Sequence, residues 1–187
     1  MTKRKKNILI TGLPGTGKTT LLRKVAEELK PLRPVGFFTS EIREADIRKG
    51  FELESLDGKK GLLAHVDIAS RCRVGKYRVD VKGFEAFLEA IHLVGPSASL
   101  IIIDEIGKME CFSELFKQRV RQVLDSDQVV LATIALKGHG FIERIKKRDD
   151  VQLVELVESR RETLVKEMAS KIKDLCAQTG RGKDPGP

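Results

Sequence analysis

One stretch decides the fold of this 187-residue chain, Ile8-Leu9-Ile10-Thr11-Gly12-Leu13-Pro14-Gly15-Thr16-Gly17-Lys18-Thr19-Thr20. A short apolar run, typical of a buried strand, leads into a glycine-rich loop, and the loop leads into a sequence with the apolar periodicity of a helix. Residues 12–19 match the pattern G-x-x-x-x-G-K-[S/T] at every specified position. Between a strand and a helix, this pattern predicts a loop that binds the phosphates of a nucleoside triphosphate or diphosphate.

The residue types of this loop suit a phosphate chain. Its glycines allow a tight turn in which successive N–H groups point inward, and the helix behind it adds free amides and the positive end of its dipole. Lys18 is expected to reach the β- and γ-phosphates, and the Thr19 hydroxyl is expected to bind Mg²⁺. The predicted nucleotide-binding residues here are Gly12, Leu13, Pro14, Gly15, Thr16, Gly17, Lys18 and Thr19.

A second motif follows the aliphatic run at residues 100–103, whose unbroken apolar pattern predicts a strand buried on both faces of a parallel sheet. Asp104 and Glu105 come directly after it. A carboxylate in that position is costly without a partner, so we predict that Asp104 binds Mg²⁺ together with Thr19. Glu105 is predicted to orient or deprotonate the water that attacks the γ-phosphate, which makes Glu105 and Lys18 the predicted catalytic residues.

Further polar residues near these motifs remain open as participants. Gly107 permits a tight turn, after which Lys108 and Glu110 either face the phosphates or begin a solvent-exposed segment. Thr133, at the end of the next predicted strand, is a candidate donor to the γ-phosphate or to the water. Arg144 offers a positive charge, although an exposed helix face is the more common role for such a residue.

The remaining chain alternates strand and helix patterns, which is typical of an α/β domain with a parallel sheet and right-handed crossovers. A polar cluster at residues 39–43 is expected at or near the C-terminal end of the second strand, where doubly wound sheets bind ligands. The strands are predicted at residues 35–39, 100–103, 128–133 and 151–156, and the helices at 82–93, 113–124, 141–148 and 159–178.

Residues 50–66 interrupt this alternation. They predict an antiparallel hairpin inserted into the α/β pattern, with its turn at Asp57-Gly58. The segment that follows is basic and predicted to be irregular, so it either closes over phosphates or forms a solvated loop. Its basic residues are Arg71, Arg73, Lys76 and Arg78.

Length and composition restrict the class of protein. We predict a single domain over residues 1–178 and a disordered tail over residues 179–187, which has nothing to bury. No apolar run approaches the ~20 residues of a membrane helix. The apolar segment behind the basic N-terminus is too short for a signal peptide. A cytoplasmic protein is therefore expected, and we also expect a monomer.

The charge balance is basic, with 35 Lys and Arg against 27 Asp and Glu and a net charge of +8. This excess suits either nucleic acid or a site for a polyanionic nucleotide. Proteins that bind single-stranded nucleic acid interleave aromatic residues with basic ones, whereas this chain has one Tyr and no Trp. Nucleic acid is therefore a possible partner but not the favoured one.

The run DEIGKME at residues 104–110, joined with residues 12–19, resembles the THEP-type nucleoside-triphosphatase family, also called the cancer-related nucleoside triphosphatases. Residues 36–43, 74–77 and 132–135 are similar too, so that the resemblance spans about residues 7–175. It implies a RecA-like P-loop fold with a mainly parallel sheet flanked by helices. It also implies that a second segment binds nucleotide, comprising Leu100, Ile101, Ile102, Ile103, Asp104, Glu105, Ile106 and Gly107.

The resemblance further implies slow, Mg²⁺-dependent hydrolysis of ATP, GTP and other nucleoside triphosphates to diphosphate and phosphate, with broad base tolerance. Two alternatives stay open. One is a P-loop kinase that phosphorylates a nucleotide or another small molecule. The other is a nucleotide-gated ATPase that binds nucleic acid.

Overall fold

The structure is a computed structural model that describes residues 4–93, 95 and 98–180. Residues 181–187, which are most of the predicted tail, lie outside these ranges, as do residues 94, 96 and 97. None of the helices in the described part of the chain has an apolar stretch long enough to cross a bilayer.

The described residues form one nine-stranded mixed sheet with helices on both faces. The strands are β1 (Asn7–Thr11), β2 (Val35–Glu44), β3 (Ile47–Ser55), β4 (Lys60–His65), β5 (Arg73–Val74), β6 (Tyr77–Val79), β7 (Leu100–Ile106), β8 (Val129–Ile134) and β9 (Val151–Glu155). The helices are α1 (Lys18–Glu28), α2 (Val81–Ala90), α3 (Glu114–Asp125), α4 (Phe141–Lys146) and α5 (Arg161–Gly180), with 3₁₀ turns at Lys30–Leu32, Glu110–Phe112 and Glu158–Arg160.

Five strands make the parallel half of the sheet, in the order β2-β7-β8-β1-β9. The aliphatic side chains of β7 and β8 are fully buried, as expected for central parallel strands covered on both faces. Because these strands run in one direction, their C-terminal ends meet at one edge of the sheet. The phosphate loop follows β1 at this edge, and Asp104 lies near the end of β7.

The antiparallel half is larger than the predicted hairpin. The expected pairing of β3 with β4 across Asp57-Gly58 is confirmed, but β5 and β6 form a further small hairpin where an irregular basic loop was predicted. Gly75 lies between these two short strands with a φ of 58°. The sheet is therefore mixed, and its parallel character is confined to five of nine strands.

Strand β2 belongs to both halves. It pairs in parallel with β7 over Val35–Phe37 and then continues to Glu44, antiparallel to β3. The prediction that this strand ends at residue 39 is thus wrong, and the polar cluster 39–43 lies inside the strand. The turn to β3 uses Ala45 and Asp46, with φ values of 44° and 63°, as in a type I′ turn. It lacks the Asn-Gly or Asp-Gly signal by which such turns are recognised.

Two apolar cores cover the two faces of the sheet. Helices α2, α3 and α4 pack on one face around Phe37, whose ring meets those of Phe84 and Phe87 edge to face. Helices α1 and α5 pack together on the other face. The apolar side chains of α1 and α5 in this second core include Leu21, Leu22, Val25, Leu164, Val165 and Met168.

The remaining predicted helices are confirmed within a few residues. Ser113 begins α3 as predicted, because its hydroxyl accepts a 2.9 Å hydrogen bond from the Phe116 amide. Helix α5 runs to Gly180, so the predicted disordered tail overlaps its last two residues. The packing of α5 on α1 places the first residues of α5 beside the phosphate loop.

Candidate active site

A cavity of about 780 Å³ opens at the C-terminal edge of the parallel strands. It brings the two predicted motifs together, because the loop after β1 and the end of β7 both form part of its wall. The motif residues that line it are Gly12, Leu13, Pro14, Gly15, Gly17, Lys18, Thr19, Asp104, Glu105 and Gly107. The aliphatic side chains of residues 100–103 are buried in the sheet, where they hold Asp104 at the rim.

The phosphate loop is a turn that requires glycine at several positions. Gly12, Gly15 and Gly17 have φ values of 151°, 81° and 86°. A Cβ atom at Gly12 would also lie only 2.8 Å from the carbonyl oxygen of Leu156, so the loop packs closely on the chain that follows β9. The loop is therefore shaped by backbone conformation and by this neighbour.

Lys18 lies over the phosphate loop. Its Nζ atom donates hydrogen bonds of 3.1 Å to the carbonyl oxygens of Gly12 and Leu13. The ammonium group is thereby held at the cavity wall beside the loop, close enough to Glu105 for its charge to oppose the rise that burial causes in the pKa of Glu105.

Asp104 is 2% exposed and is held from two directions. Its Oδ1 atom accepts a 2.7 Å hydrogen bond from the Thr133 hydroxyl, and its backbone carbonyl accepts one from the Thr39 hydroxyl. Burial raises the pKa of the Asp104 carboxyl, while the Thr133 and Thr19 hydroxyls act against this rise. The arrangement fixes both the position and the rotation of the carboxyl group.

The second oxygen of Asp104, Oδ2, is buried and has no hydrogen-bond partner among the described residues. The Thr19 hydroxyl lies near this carboxyl but does not form a hydrogen bond with Oδ2. An unpaired buried carboxylate oxygen is costly, and a cation bound between it and the Thr19 hydroxyl would remove that cost. Asp104 and Thr19 therefore fit a Mg²⁺ ion, which prefers oxygen ligands and also binds phosphate.

Glu105 and Glu110 line the cavity as a pair of carboxyl groups, and both lie beside Gly107. Burial raises the pKa of Glu105, and so does the charge of Asp104, whereas Lys18 lowers it. Glu110 is 5% exposed, and burial, aided by the charge of Glu105, raises its pKa to about 8. Glu110 therefore does not begin a solvent-exposed segment, whereas Lys108 is exposed at the rim of the cavity.

Of the other candidate residues, some line the cavity and others do not. From the polar cluster in β2, Thr39, Ser40 and Glu41 line the cavity. Thr133 is fully buried and its hydroxyl is bonded to Asp104, so it contacts the carboxylate and not the cavity. Arg144 is exposed on α4 and does not line the cavity.

The basic segment after β4 contributes little to this site. Arg78 donates a 2.8 Å hydrogen bond to the carbonyl oxygen of Ser70, and the Lys76 ammonium lies over the Tyr77 ring. Of residues 71–78, only Val74 lines the cavity. The segment thus folds on itself instead of covering the phosphate loop.

Sequence reasoning missed the rest of the wall. Phe51, Leu63 and Val74 come from the antiparallel half, and Leu136 and Lys137 follow β8. Apart from Val74, which falls in the family-like stretch at residues 74–77, no motif marks these residues. The loop after β8 had one usable signal, since it follows a buried strand whose end lies at the ligand-binding edge.

No group of three or more His, Cys, Asp or Glu side chains within residues 4–93, 95 and 98–180 is arranged to hold a metal ion by itself.

The fold and the site define a class: a P-loop nucleotide-binding protein with an acidic residue near the end of a neighbouring parallel strand. Comparison with known proteins narrows this class. Residues 7–169 match the model of a family described as NTPase. The chain therefore belongs to this NTPase family, and the resemblance inferred from residues 104–110 is confirmed.

The matches to named relatives extend over nearly the whole length of those proteins. The nucleoside-triphosphatase THEP1 of Thermotoga maritima is 44% identical over 167 residues, which are 89% of this chain and 95% of that protein. The cancer-related nucleoside-triphosphatase of Homo sapiens is 37% identical over 192 residues, covering 94% and 98%. The crystal structure of THEP1 from Aquifex aeolicus superposes with a TM-score of 0.80 at 36% identity, covering 89% of this chain and 98% of that one.

Proposed function

We propose that this chain hydrolyses ATP, GTP and other nucleoside triphosphates to diphosphate and phosphate, with Mg²⁺ as cofactor and little selectivity for the base. One observation carries the proposal: a single cavity joins Lys18 on the phosphate loop to Asp104 and Glu105 at the end of β7. The names of the relatives, which are nucleoside-triphosphatases, support the same activity.

Binding of the phosphate chain is assigned to the loop between β1 and α1. Its amides and the start of α1 favour an anion, and the Lys18 ammonium exchanges its bonds to two loop carbonyls for bonds to phosphate oxygens. Exchange of neutral acceptors for charged ones strengthens these hydrogen bonds. Lys18 thus stabilises the charge that develops on the phosphates during cleavage.

The cofactor is assigned to the Thr19 hydroxyl and to Oδ2 of Asp104. When bound, Mg²⁺ would neutralise part of the negative charge on the β- and γ-phosphates. Thr133 and Thr39 serve this function indirectly, because their hydrogen bonds hold Asp104 in one orientation.

Glu105 is assigned to the attacking water. It follows Asp104 directly and lines the same cavity as the phosphate loop, so a water beside it would attack the γ-phosphate on the side away from the leaving diphosphate. The carboxylate orients this water and accepts its proton as the bond to phosphorus forms. This geometry favours hydrolysis.

Broad base tolerance follows from what surrounds the loop. The binding residues proposed above contact phosphates, which all nucleoside triphosphates share, and the chain carries no N-K-x-D motif to read guanine. A RecA-like arrangement of the parallel half is proposed as well, supported by the position of β8 between β1 and β7. A single domain, a monomeric state and a cytoplasmic location remain expectations.

Phosphate release from ATP, GTP, CTP and UTP, each with Mg²⁺ and with a chelator, tests the proposal. We expect release without any added acceptor, rates within about tenfold of one another, and loss of activity on chelation. Turnover that requires a small-molecule acceptor would favour the kinase alternative. A stimulation by oligonucleotide that weakens with added salt would favour the nucleic-acid alternative.

A further inference from the structure

Arg161, the first residue of α5, lies directly against Gly17 of the phosphate loop. A Cβ atom placed on Gly17 would lie 2.6 Å from Nη1, 3.1 Å from Cδ and 3.5 Å from Cζ of Arg161. The guanidinium group therefore occupies the space that a side chain at residue 17 would fill. Gly17 both lines the cavity and precedes the first residue of α1, so the contact is with the phosphate-binding turn itself.

The positive charge of Arg161 is poorly neutralised. Its Nε atom is buried and has no hydrogen-bond partner in the described part of the chain. An acidic oxygen, Oε1 of Glu162, lies 3.8 Å from Nε, and the same oxygen accepts a 2.6 Å bond from Lys24. A partly buried cation with one distant and shared counter-charge favours an anion nearby.

The fold holds this cation in place. Helix α5 packs on α1 through the apolar contact described above, and the Lys24–Glu162 pair joins the second turn of α1 to the first turn of α5. The Arg161 side chain is 31% exposed, so part of it remains accessible to a ligand. Its position is set by packing between two elements that both border the phosphate loop.

The order of strands shows from which side Arg161 approaches. Strand β9, which leads into α5, lies on one side of β1, whereas β8 and β7 lie on the other side. Arg161 and Glu105 therefore face the loop from opposite sides. Since the water prepared by Glu105 must attack the γ-phosphate from its own side, the phosphates within reach of Arg161 are those closer to the nucleoside.

We propose that Arg161 binds the α- and β-phosphates of the nucleotide as a second cationic side chain beside Lys18. This inference rests on the proposed function, because it assumes that the loop holds a nucleoside phosphate. The same charge lies next to the diphosphate that leaves in hydrolysis, on which negative charge accumulates as the bond to the γ-phosphate breaks. Recognition through phosphate oxygens makes the contribution independent of the base.

Calorimetric titration of Mg²⁺-ADP and Mg²⁺-CDP tests this inference without relying on turnover. Arg161→Gln should lower the affinity for both diphosphates by the same factor. We expect roughly tenfold, which is the typical effect of losing one charged hydrogen bond. Arg161→Lys keeps the charge but loses the planar donor pair, so it should bind with intermediate affinity. Arg160→Gln is the matched control, because the neighbouring Arg160 is 64% exposed and pairs with Glu167.

Binding by Arg160→Gln should stay within about twofold of the parent protein. Equal affinity of Arg161→Gln and the parent, an equal loss in both Gln variants, or a loss for only one of the two bases would each overturn the inference. A Lys18→Ala variant tests the proposed nucleotide site separately from the role of Arg161. If this variant binds ADP as well as the parent does, the assignment of the phosphate loop as the nucleotide site is wrong. Thermal unfolding of each variant shows whether the fold is retained.

Discussion

The Thr133 hydroxyl donates a 2.7 Å hydrogen bond to Oδ1 of Asp104, and thereby leaves Oδ2 as the free oxygen of a buried carboxyl group. The two residues lie on neighbouring parallel strands, β8 and β7, and both are almost completely buried. Thr133 thus sets the rotation of the carboxyl and determines which oxygen is offered to a cation. In the proposed mechanism it acts on the nucleotide only through Asp104.

Replacement of Thr133 by Val should therefore affect the cofactor more than the nucleotide. The variant keeps the shape but removes the donor, so the concentration of Mg²⁺ that gives half-maximal turnover should rise, and stability should fall by about 1–3 kcal/mol. Thr133→Ser keeps the hydroxyl and should preserve the Mg²⁺ dependence. A Val variant with an unchanged Mg²⁺ dependence would show that Asp104 needs no such support.

Lys18→Ala should reduce turnover by at least about 10²-fold, because it removes the ammonium group that stabilises charge on the phosphates. Phosphate release at saturating ATP measures the effect. Lys173→Ala, at an exposed position of α5, changes the net charge equally and should hydrolyse ATP at the parent rate. Parent-like turnover by Lys18→Ala would show that the loop is not the reaction site.

Glu110 should make stability depend on pH. Its pKa is raised from 4.5 to about 8, so between these values the folded protein holds a proton that the unfolded chain has released. Stability should consequently fall as pH rises from about 5 to about 8, by an amount on the order of a few kcal/mol. Urea unfolding without nucleotide or Mg²⁺ measures this slope.

Glu110→Gln removes this titration and should flatten the profile over the same range. The difference between the two profiles isolates Glu110 from the other carboxyl groups, which titrate in both proteins. Profiles that remain parallel from pH 5 to pH 8 would mean that Glu110 ionises in the folded protein near its ordinary pKa.

Gly36→Ala should prevent stable folding. A Cβ atom at this position would lie 1.7 Å from the carbonyl oxygen of Ile102, and φ is 149°. Because the obstacle is the backbone of the neighbouring strand β7, we expect a loss of more than about 4 kcal/mol. Gly58→Ala, with a φ of 89° but no atom within 4 Å of the added carbon, should cost only about 1–2 kcal/mol. Thermal unfolding of both variants checks this contrast.

The parallel half of the fold could be predicted because its elements have local sequence patterns. The aliphatic runs of β7 and β8 and the glycine loop after β1 can each be recognised from a few consecutive residues. The second part of β2 does not, since its turn at Ala45 and Asp46 has none of the usual residue signals. The polar residues 39–43 inside β2 were therefore mistaken for the end of the strand.

The features of the site that could not be predicted depend on contacts between segments distant in the sequence. Arg161 reaches Gly17 only because α5 packs on α1, and no motif in the sequence records that packing. The bond from Thr133 to Asp104 depends on the register of β8 against β7. Sequence reasoning could name Thr133 as a candidate, but not choose between phosphate and carboxylate as its partner.

The central claim, that Glu105 prepares the water for hydrolysis, is tested most directly by Glu105→Gln. The amide keeps the size of the side chain but is a far poorer base, while Lys18, Thr19 and Asp104 stay in place. Single-turnover phosphate release and triphosphate affinity should be measured on the same protein with saturating Mg²⁺. We expect turnover to fall by about 10²-fold and affinity to change by less than about threefold. An unchanged rate of phosphate release would contradict the account and move the role to Glu110 or to the polar residues of β2.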